Sequence, residues 1–168
     1  NQTQDLSSTD TGDWIGGSNF NGISYDSLRN LIYLTGDSGI FGVYNASTNV
    51  TSDLRATDPG DWLASNTIIP IVYDSTRDVI YLGATNGKFG VYNASTNINS
   101  DLSGTDSGWM TGTLQSLGYD SLKGLIYISV DSGVWGVYNA SDNKSSAFTA
   151  KDLNNWIGSN TIRALTYD

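Results

Sequence analysis

The chain contains the stretch Phe41-Gly42-Val43-Tyr44-Asn45-Ala46-Ser47, which recurs at residues 89–95 and, with Trp in place of Phe, at residues 135–141. A second motif, Tyr-Asp-Ser, begins at residues 25, 73 and 119, and Tyr-Asp stands again at 167–168. Both motifs return roughly every 48 residues, which is within the range of a four-stranded propeller blade. The repeat therefore predicts one structural unit that is copied along the chain.

Each copy divides into four short runs of the residues that favour strands. In the second copy these runs are 67–73, 78–84, 88–93 and a weaker one at 98–102, and they are rich in β-branched, aromatic and aliphatic side chains. Asp74-Ser75-Thr76-Arg77 separates the first two runs, and Asn86-Gly87 separates the next two. Asn-Gly supplies the positive φ angles that a short hairpin needs. Several runs are apolar throughout, which is typical of strands that are covered on both faces.

The composition supports strands and excludes several classes of site. The 168 residues include no His and no Cys, and all 17 acidic residues are Asp. Without His or Cys the chain has no thiolate nucleophile, no Ser-His-Asp triad and no ordinary zinc site. Strong helix formers are scarce, which excludes a helical solenoid, and a β-helix has shorter coils than this period.

We therefore predict an all-β fold: a β-propeller built from blades of about 48 residues and four strands, with about 3.5 repeats in this chain. The predicted division is a partial blade at 1–20, repeats at about 21–66, 67–112 and 113–160, and the first strand of a further blade at 161–168.

The repeated pattern Tyr-Asp-Ser-x-(Arg/Lys)-x-x-Ile-Tyr-(Leu/Ile), followed by Gly-Val-Tyr-Asn-Ala-Ser, resembles the propeller repeat of archaeal and bacterial surface-layer proteins of the YVTN type. It is also similar to the two-component-regulator propeller repeat, with its Ile-Tyr-Leu-Gly core. The resemblance extends over the whole chain. It implies a propeller and does not point to a ligand.

The phase of the repeat matters as much as its period. Asn1 aligns with Asn49 and Asn97, so the printed residues begin in a fourth-strand position and stop after a first strand. Because propellers close with about four to eight blades, one copy would leave unpaired edges. We expect either that these residues belong to a longer polypeptide, or that copies of the chain complete one another in a homo-oligomer or filament.

Asn-x-Ser/Thr triplets, the acceptor pattern for N-linked glycans, begin at six positions: Asn1, Asn45, Asn49, Asn93, Asn139 and Asn143. A chain rich in Asn, Ser and Thr contains some of these triplets by chance. However, Asn45, Asn93 and Asn139 occupy one position in three repeats, in an expected turn after the third strand. We therefore predict a glycosylated chain in an extracellular location.

Blade topology predicts where these sugars would lie. The turns that follow the first and third strands share one face of a propeller, so the sugars would coat the face that carries Asp26, Asp74 and Asp120. The opposite face, which carries Asp37, Asn86, Asp131 and the Trp loops, would stay bare. We expect that bare face, or the edge of the disc, to make the protein contacts.

The Asp-rich loops are weak candidates for Ca²⁺ ligands: Asp10, Asp13, Asp58 and Asp61. Their spacing does not match an EF-hand, and a turn in which Asp accepts backbone N–H groups is the preferred interpretation. We therefore predict no cofactor.

The tryptophans Trp14, Trp62, Trp109 and Trp156 recur once per repeat. Packing explains this recurrence better than stacking on sugar rings does, although stacking stays open. Asp26, Asp74 and Asp120 each precede a cation by three residues, which predicts an ion pair across a turn. Catalysis is not predicted, because a glycosidase needs two unlike carboxyl groups and the acidic positions here largely repeat.

The net charge of −9 argues against nucleic acid or an anionic membrane as a partner. The chain also lacks an apolar run of about 18 residues, so we expect no membrane insertion. The predicted function is an extracellular structural protein that assembles into a surface layer, sheath or filament. The alternative is an adhesin module that binds carbohydrate or protein, and a hydrolase is a distant third.

Overall fold

A computed structural model describes residues 14–16, 19–148 and 157–166. These residues form three antiparallel sheets of four strands each, and within each sheet every strand pairs with the next one along the chain. We call the sheets blades 1, 2 and 3. The three blades do not close into a ring.

Each blade is a meander of four strands, and strand length falls from seven residues in the first strand to four in the last. Blade 1 contains β1 (Phe20–Asp26), β2 (Leu31–Gly36), β3 (Phe41–Asn45) and β4 (Val50–Asp53). Blade 2 contains β5 (Ile68–Asp74), β6 (Val79–Ala84), β7 (Phe89–Asn93) and β8 (Ile98–Asp101). Blade 3 contains β9 (Leu114–Asp120), β10 (Leu125–Val130), β11 (Trp135–Asn139) and β12 (Lys144–Ala147).

The strands predicted for the second repeat agree with β5 to β8 to within one residue at every end. All six residues of β6 are buried, as expected for a strand that is covered on both faces. The only helical pieces among the described residues are short 3₁₀ turns at Asp37–Gly39, Arg55–Thr57, Ser103–Thr105 and Asp131–Gly133. None of the described residues forms a helix long and apolar enough to cross a bilayer.

Turn residues take the backbone conformations that their types allow. Asn86 and Gly87 have φ angles of 59° and 70°, which confirms the predicted Asn-Gly hairpin. The turns between the first and second strands end on Asn30, Asp78 and Gly124, all with φ near 60°. Asn, Asp and Gly are the residues that tolerate this left-handed region best.

The hydrophobic core lies between the blades. The Tyr92 ring of blade 2 packs on Tyr33 and Phe41 of blade 1, with ring centroids 5.9 and 5.2 Å apart. The Tyr138 ring of blade 3 packs in the same way on Tyr81 and Phe89, at 5.7 and 5.2 Å. Stacking the sheets therefore buries the apolar side chains that a single blade would leave in water.

Residues 157–166 follow blade 3 and lie beside its inner strand. The Ser129 hydroxyl donates a hydrogen bond to the Ile162 carbonyl at 2.7 Å, and a Cβ on Gly118 would lie 3.3 Å from that of Leu165. The predicted further strand falls here, yet none is assigned over the described residues 161–166. No described strand pairs with this segment through its backbone.

Candidate functional sites

Five of the six predicted glycan acceptors, all except Asn1, lie on a face that we call the sequon face. It is formed by residues 27–30 and 46–49 of blade 1 and their equivalents in blades 2 and 3. The Ala46 N–H donates to the Asn30 carbonyl at 3.2 Å, and the Asn30 side-chain amide donates to the Ser47 hydroxyl at 3.0 Å. In blade 2 the Ser95 hydroxyl donates to Asp78 at 3.3 Å. The sequon turns and the Tyr-Asp-Ser turns are therefore neighbours.

Asn45, Asn93 and Asn139 have a structural role of their own. Each side-chain oxygen accepts the backbone N–H two residues further on, from Ser47, Ser95 or Ser141, at 2.9 Å. This is an Asx turn, and it closes the hairpin between the third and fourth strands. The turn uses only the amide oxygen, and a glycan would be attached to the amide nitrogen. The three Ser residues of these triplets are exposed.

Asn49 and Asn143 are placed differently. Their side-chain oxygens accept hydrogen bonds from the Tyr44 and Tyr138 hydroxyls at 2.9 Å. Asn97 accepts the same bond from Tyr92 at 2.9 Å, although Asn97 does not begin a triplet. The turn therefore explains an Asn at this position without any glycan. In addition, Thr51 and Ser145, which complete the two triplets, are buried. Asn1 lies outside the described residues.

Asp26, Asp74 and Asp120 close the turns between the first and second strands, and all three are fully buried. In each, one oxygen accepts the backbone N–H groups two and three residues further on, at 2.9–3.1 Å. The other oxygen faces the cation: 3.0 Å to Arg29, 2.9 Å to Arg77 and 3.6 Å to Lys123. The predicted ion pairs are confirmed, and burial of the carboxylates makes them part of the fold.

Arg29 also reaches the next blade, which the sequence analysis missed. Its two terminal nitrogens donate to the two carboxylate oxygens of Asp78, and the Tyr73 hydroxyl donates to Asp78 at 3.1 Å. The hydrogen bonds from Arg29 hold the pKa of the Asp78 carboxyl below its ordinary value, and the same contact raises the pKa of Arg29. The only sequence signal is that Asp stands at 78 where the other repeats have Asn30 and Gly124.

Trp14, Trp62 and Trp109 lie in the links that precede the blades, and each packs over a glycine in the third strand of the blade that follows it. Trp14 and Trp62 are each only 4% exposed. They cover Gly42 and Gly90, where a Cβ would collide with the indole ring. Trp109 covers Gly136 in the same way, and its indole N–H donates to the Ser145 hydroxyl at 3.2 Å. Trp156 lies outside the described residues. Trp14 and Trp62 therefore present no open ring face to a sugar.

The candidate calcium ligands are only partly described. Asp58 accepts the Leu63 N–H at 2.7 Å, and Asp106 makes the equivalent bonds to the N–H groups of Trp109 and Met110 at 3.0 and 2.8 Å. Asp58 and Asp61 line an open cleft of about 350 Å³. Asp10 and Asp13 lie outside the described residues, within which no three acidic side chains come together in a metal-binding group.

Comparison with known proteins defines the fold. No protein-family model and no curated protein matches the chain. Among solved structures, a chain in the crystal structure of the mitotic checkpoint complex, a WD40 β-propeller, matches with a TM-score of 0.58 and 15% identity. The match covers 76% of this chain but only 36% of that one. The three sheets are thus blades of a β-propeller, and the likeness extends to the fold alone.

Proposed function

We propose that this chain is an extracellular, glycosylated structural protein whose β-propeller blades associate between copies into a surface layer, sheath or filament. The observation that carries the proposal is the position of the core. The two apolar clusters of the described residues lie between blades 1 and 2 and between blades 2 and 3, whereas Phe20 and Ile23 of blade 1 are 42% and 68% exposed. A protein whose stability comes from stacked sheets is suited to extending the stack with further copies.

The sequon face supports the glycan part of this proposal. Asn45, Asn93 and Asn139 lie at the same turn in successive blades, and each triplet has an exposed Ser. Sugars at these positions would all project from one face. The blade faces along the stack and the face opposite the sugars would then remain accessible to other protein molecules.

Two further observations favour a structural role over the alternatives. The repeated carboxylates Asp26, Asp74 and Asp120 are occupied by their own turns, so they are poor candidates for acid–base catalysis. Because Trp14 and Trp62 are buried, these two candidate residues offer no open ring for the sugar stacking that the adhesin alternative requires.

Light scattering after size-exclusion chromatography, together with negative-stain imaging, tests the assembly. We expect a molar mass that rises with concentration and particles larger than one chain. A single species of 18.0 kDa at every concentration would contradict the proposal.

The glycans are tested by intact mass after expression in a host that performs N-glycosylation. Ser95→Ala removes the triplet at Asn93 but keeps the Asx turn, so we expect the loss of one glycan mass. Ser95→Thr is the matched control and should retain it. An unmodified mass for the natural chain would remove this part of the proposal.

A further inference from the structure

Every blade has two unlike faces. We define the leading face as the one that packs on the preceding blade, and the trailing face as the one that packs on the next. Leading-face side chains are buried in blades 2 and 3, and they are Ile68, Ile80, Leu82 and Tyr92 in blade 2 and Leu114, Ile126, Ile128 and Tyr138 in blade 3. The trailing faces that cover them are aromatic, with Tyr33 and Phe41 in blade 1 and Tyr81 and Phe89 in blade 2.

Blade 1 carries the same leading face, and no described blade packs on it. Trp14 lies on part of this face, over Gly42 and edge-on to Phe20 at 6.4 Å. Phe20 stands at the position of Ile68 and Leu114 and is 42% exposed. Ile32, Leu34 and Tyr44 also keep part of their surface in water, although their equivalents are buried. A cleft of about 350 Å³ lies between Phe20 and Leu34. The exposed apolar face is therefore a copy of an interface that the chain forms twice internally.

The first strands of the blades, β1, β5 and β9, are the inner strands of the stack. Their contacts indicate what fits the leading face of blade 1. Ile71 of β5 lies against Gly22 of β1, and Leu117 of β9 belongs to the apolar cluster between blades 2 and 3. Leu165 then lies against Gly118 of β9. Ile23 occupies the same repeat position as these three side chains. However, Ile23 is 68% exposed, against 8% for Leu117. By analogy with Ile71, which lies against the preceding blade, we expect Ile23 to pack on an inner segment that precedes β1 in the stack.

Among the described residues, one inner segment after blade 3 has no blade packed on its trailing side. Residues 161–166 lie beside β9, and Arg163, Ala164 and Thr166 are exposed there. Arg163 and Ala164 line an open cleft that the inner strands share and that also includes Ile23 of the same chain. On the same side of blade 3, the trailing-face residues Tyr127, Trp135 and Val137 are only partly buried. By the repeat, Ala164 corresponds to Gly22, the residue against which Ile71 packs. A second copy would therefore place its Ile23 against Ala164.

We propose that the leading face of blade 1 binds the trailing end of a second copy, formed by residues 161–166 and the trailing face of blade 3, so that copies join head to tail. This inference rests on the self-assembly proposed above and adds its surfaces and its polarity. Because the two surfaces differ, the contact is heterologous, and repetition either closes a ring or extends a filament.

Two exposed substitutions test the polarity by complementation. Ile23→Arg blocks the leading face and leaves the trailing end intact, whereas Ala164→Arg does the reverse. We expect each variant alone to remain at the 18.0 kDa of one chain. An equimolar mixture should form a species of twice that mass and no larger one, because each chain then has one usable surface. Leu122→Arg, in an exposed turn on neither surface, is the matched control and should assemble like the natural chain.

The outcomes separate this inference from the proposed function. A natural chain that stays monomeric removes both. If the natural chain assembles but Ala164→Arg alone assembles equally well, the trailing end is not part of the contact and the head-to-tail proposal is wrong. A mixture that stays monomeric where the natural chain assembles also overturns it. Formation of the mixed species shows that both variants are folded.

A second measurement avoids charges at the contact. The chain has no cysteine, so Ile23→Cys and Ala164→Cys each introduce a single thiol. A short bismaleimide should link the two variants when they are mixed and should link neither variant to itself. Self-linking of Ile23→Cys, or no linking in the mixture, would overturn the proposal.

Discussion

The interface between blades 1 and 2 and the interface between blades 2 and 3 share their apolar centre and differ at their polar rim. Tyr92 and Tyr138 each pack edge-on against a Phe at 5.2 Å. On the sequon face, Arg29 meets the carboxylate of Asp78 across the first interface. Arg77, in the same position one blade later, faces Gly124 and donates instead to the Ser141 hydroxyl at 3.1 Å.

The comparison separates two tasks. The apolar centre supplies stability and is the same wherever two blades meet, because stacked sheets require the same shape each time. The rim is free to vary, because partly exposed polar pairs contribute less to stability than the buried apolar centre does. The polar contacts therefore distinguish the two interfaces, while their apolar centres stay alike.

The largest effect is expected from emptying the apolar centre. Phe41→Ala and Phe89→Ala each remove a fully buried ring from equivalent contacts. We expect each to lower the free energy of unfolding by about 3–5 kcal/mol. Urea denaturation measures both. A loss in only one variant would show that the two interfaces are not equivalent.

A second pair of substitutions compares the turns opposite the sequon face. The N–H groups of Gly39 and Gly87 donate to carbonyls of the next link, Asn66 at 2.6 Å and Gly112 at 2.7 Å. Both glycines have positive φ, 75° and 70°. A Cβ at Gly39 would lie 2.7 Å from the Leu63 carbonyl oxygen, whereas one at Gly87 would overlap that of Met110.

We therefore expect Gly87→Ala to lower the free energy of unfolding by about 3 kcal/mol. Gly39→Ala should lower it by about 1–2 kcal/mol. Thermal unfolding of the two variants gives the order. Equal losses would mean that strain from positive φ dominates and that the closer carbonyl has no effect.

The rim of the first interface is tested by Asp78→Asn. Loss of a charged, two-pronged contact should cost about 1–2 kcal/mol at pH 7. Since Arg29 holds the pKa of Asp78 below its ordinary value, this stabilisation is present above about pH 4 and is lost as the pH falls through the lowered pKa.

The difference between the natural chain and the variant should therefore shrink in acid. Denaturation at pH 7 and pH 3 measures it, and the exposed Asp142→Asn is the control, with a change of less than about 0.5 kcal/mol. A difference that is constant with pH would indicate that the Asp78 charge is not involved.

The smallest effect is a gain. Gly124→Asp places a carboxylate beside Arg77, in a turn whose left-handed conformation Asp78 already adopts at φ 60°. We expect about 0.5–1 kcal/mol of added stability, from the ion pair and from a less flexible unfolded chain. Gly104→Asp, where nothing lies within 4 Å of the new Cβ, should add no ion pair. No gain at Gly124 relative to Gly104 would show that the rim is indifferent to charge.

Local features were predictable because a few neighbouring residues encode them. The strands of the second repeat, the Asn86-Gly87 hairpin and the ion pair of Asp26 with Arg29 all depend on contacts within one blade. The positions of the Asn-x-Ser/Thr triplets also follow from the sequence, but the hydrogen bonds that these Asn side chains make in their turns do not. Asn97 takes the same bond as Asn49 without starting a triplet, which only the folded hairpin reveals.

The repeat period and the order of turn residues were sufficient to derive a four-stranded blade, since strand pairing between chain neighbours follows from short-range geometry. Contacts between blades and links could not be predicted from the repeat. Arg29 and Asp78 lie 49 positions apart, and Trp14 covers Gly42 from the link before blade 1. Which side chains meet across two sheets depends on how the sheets are placed against each other. That placement exists only once the whole stack has packed, and it also determines which face of blade 1 is left uncovered.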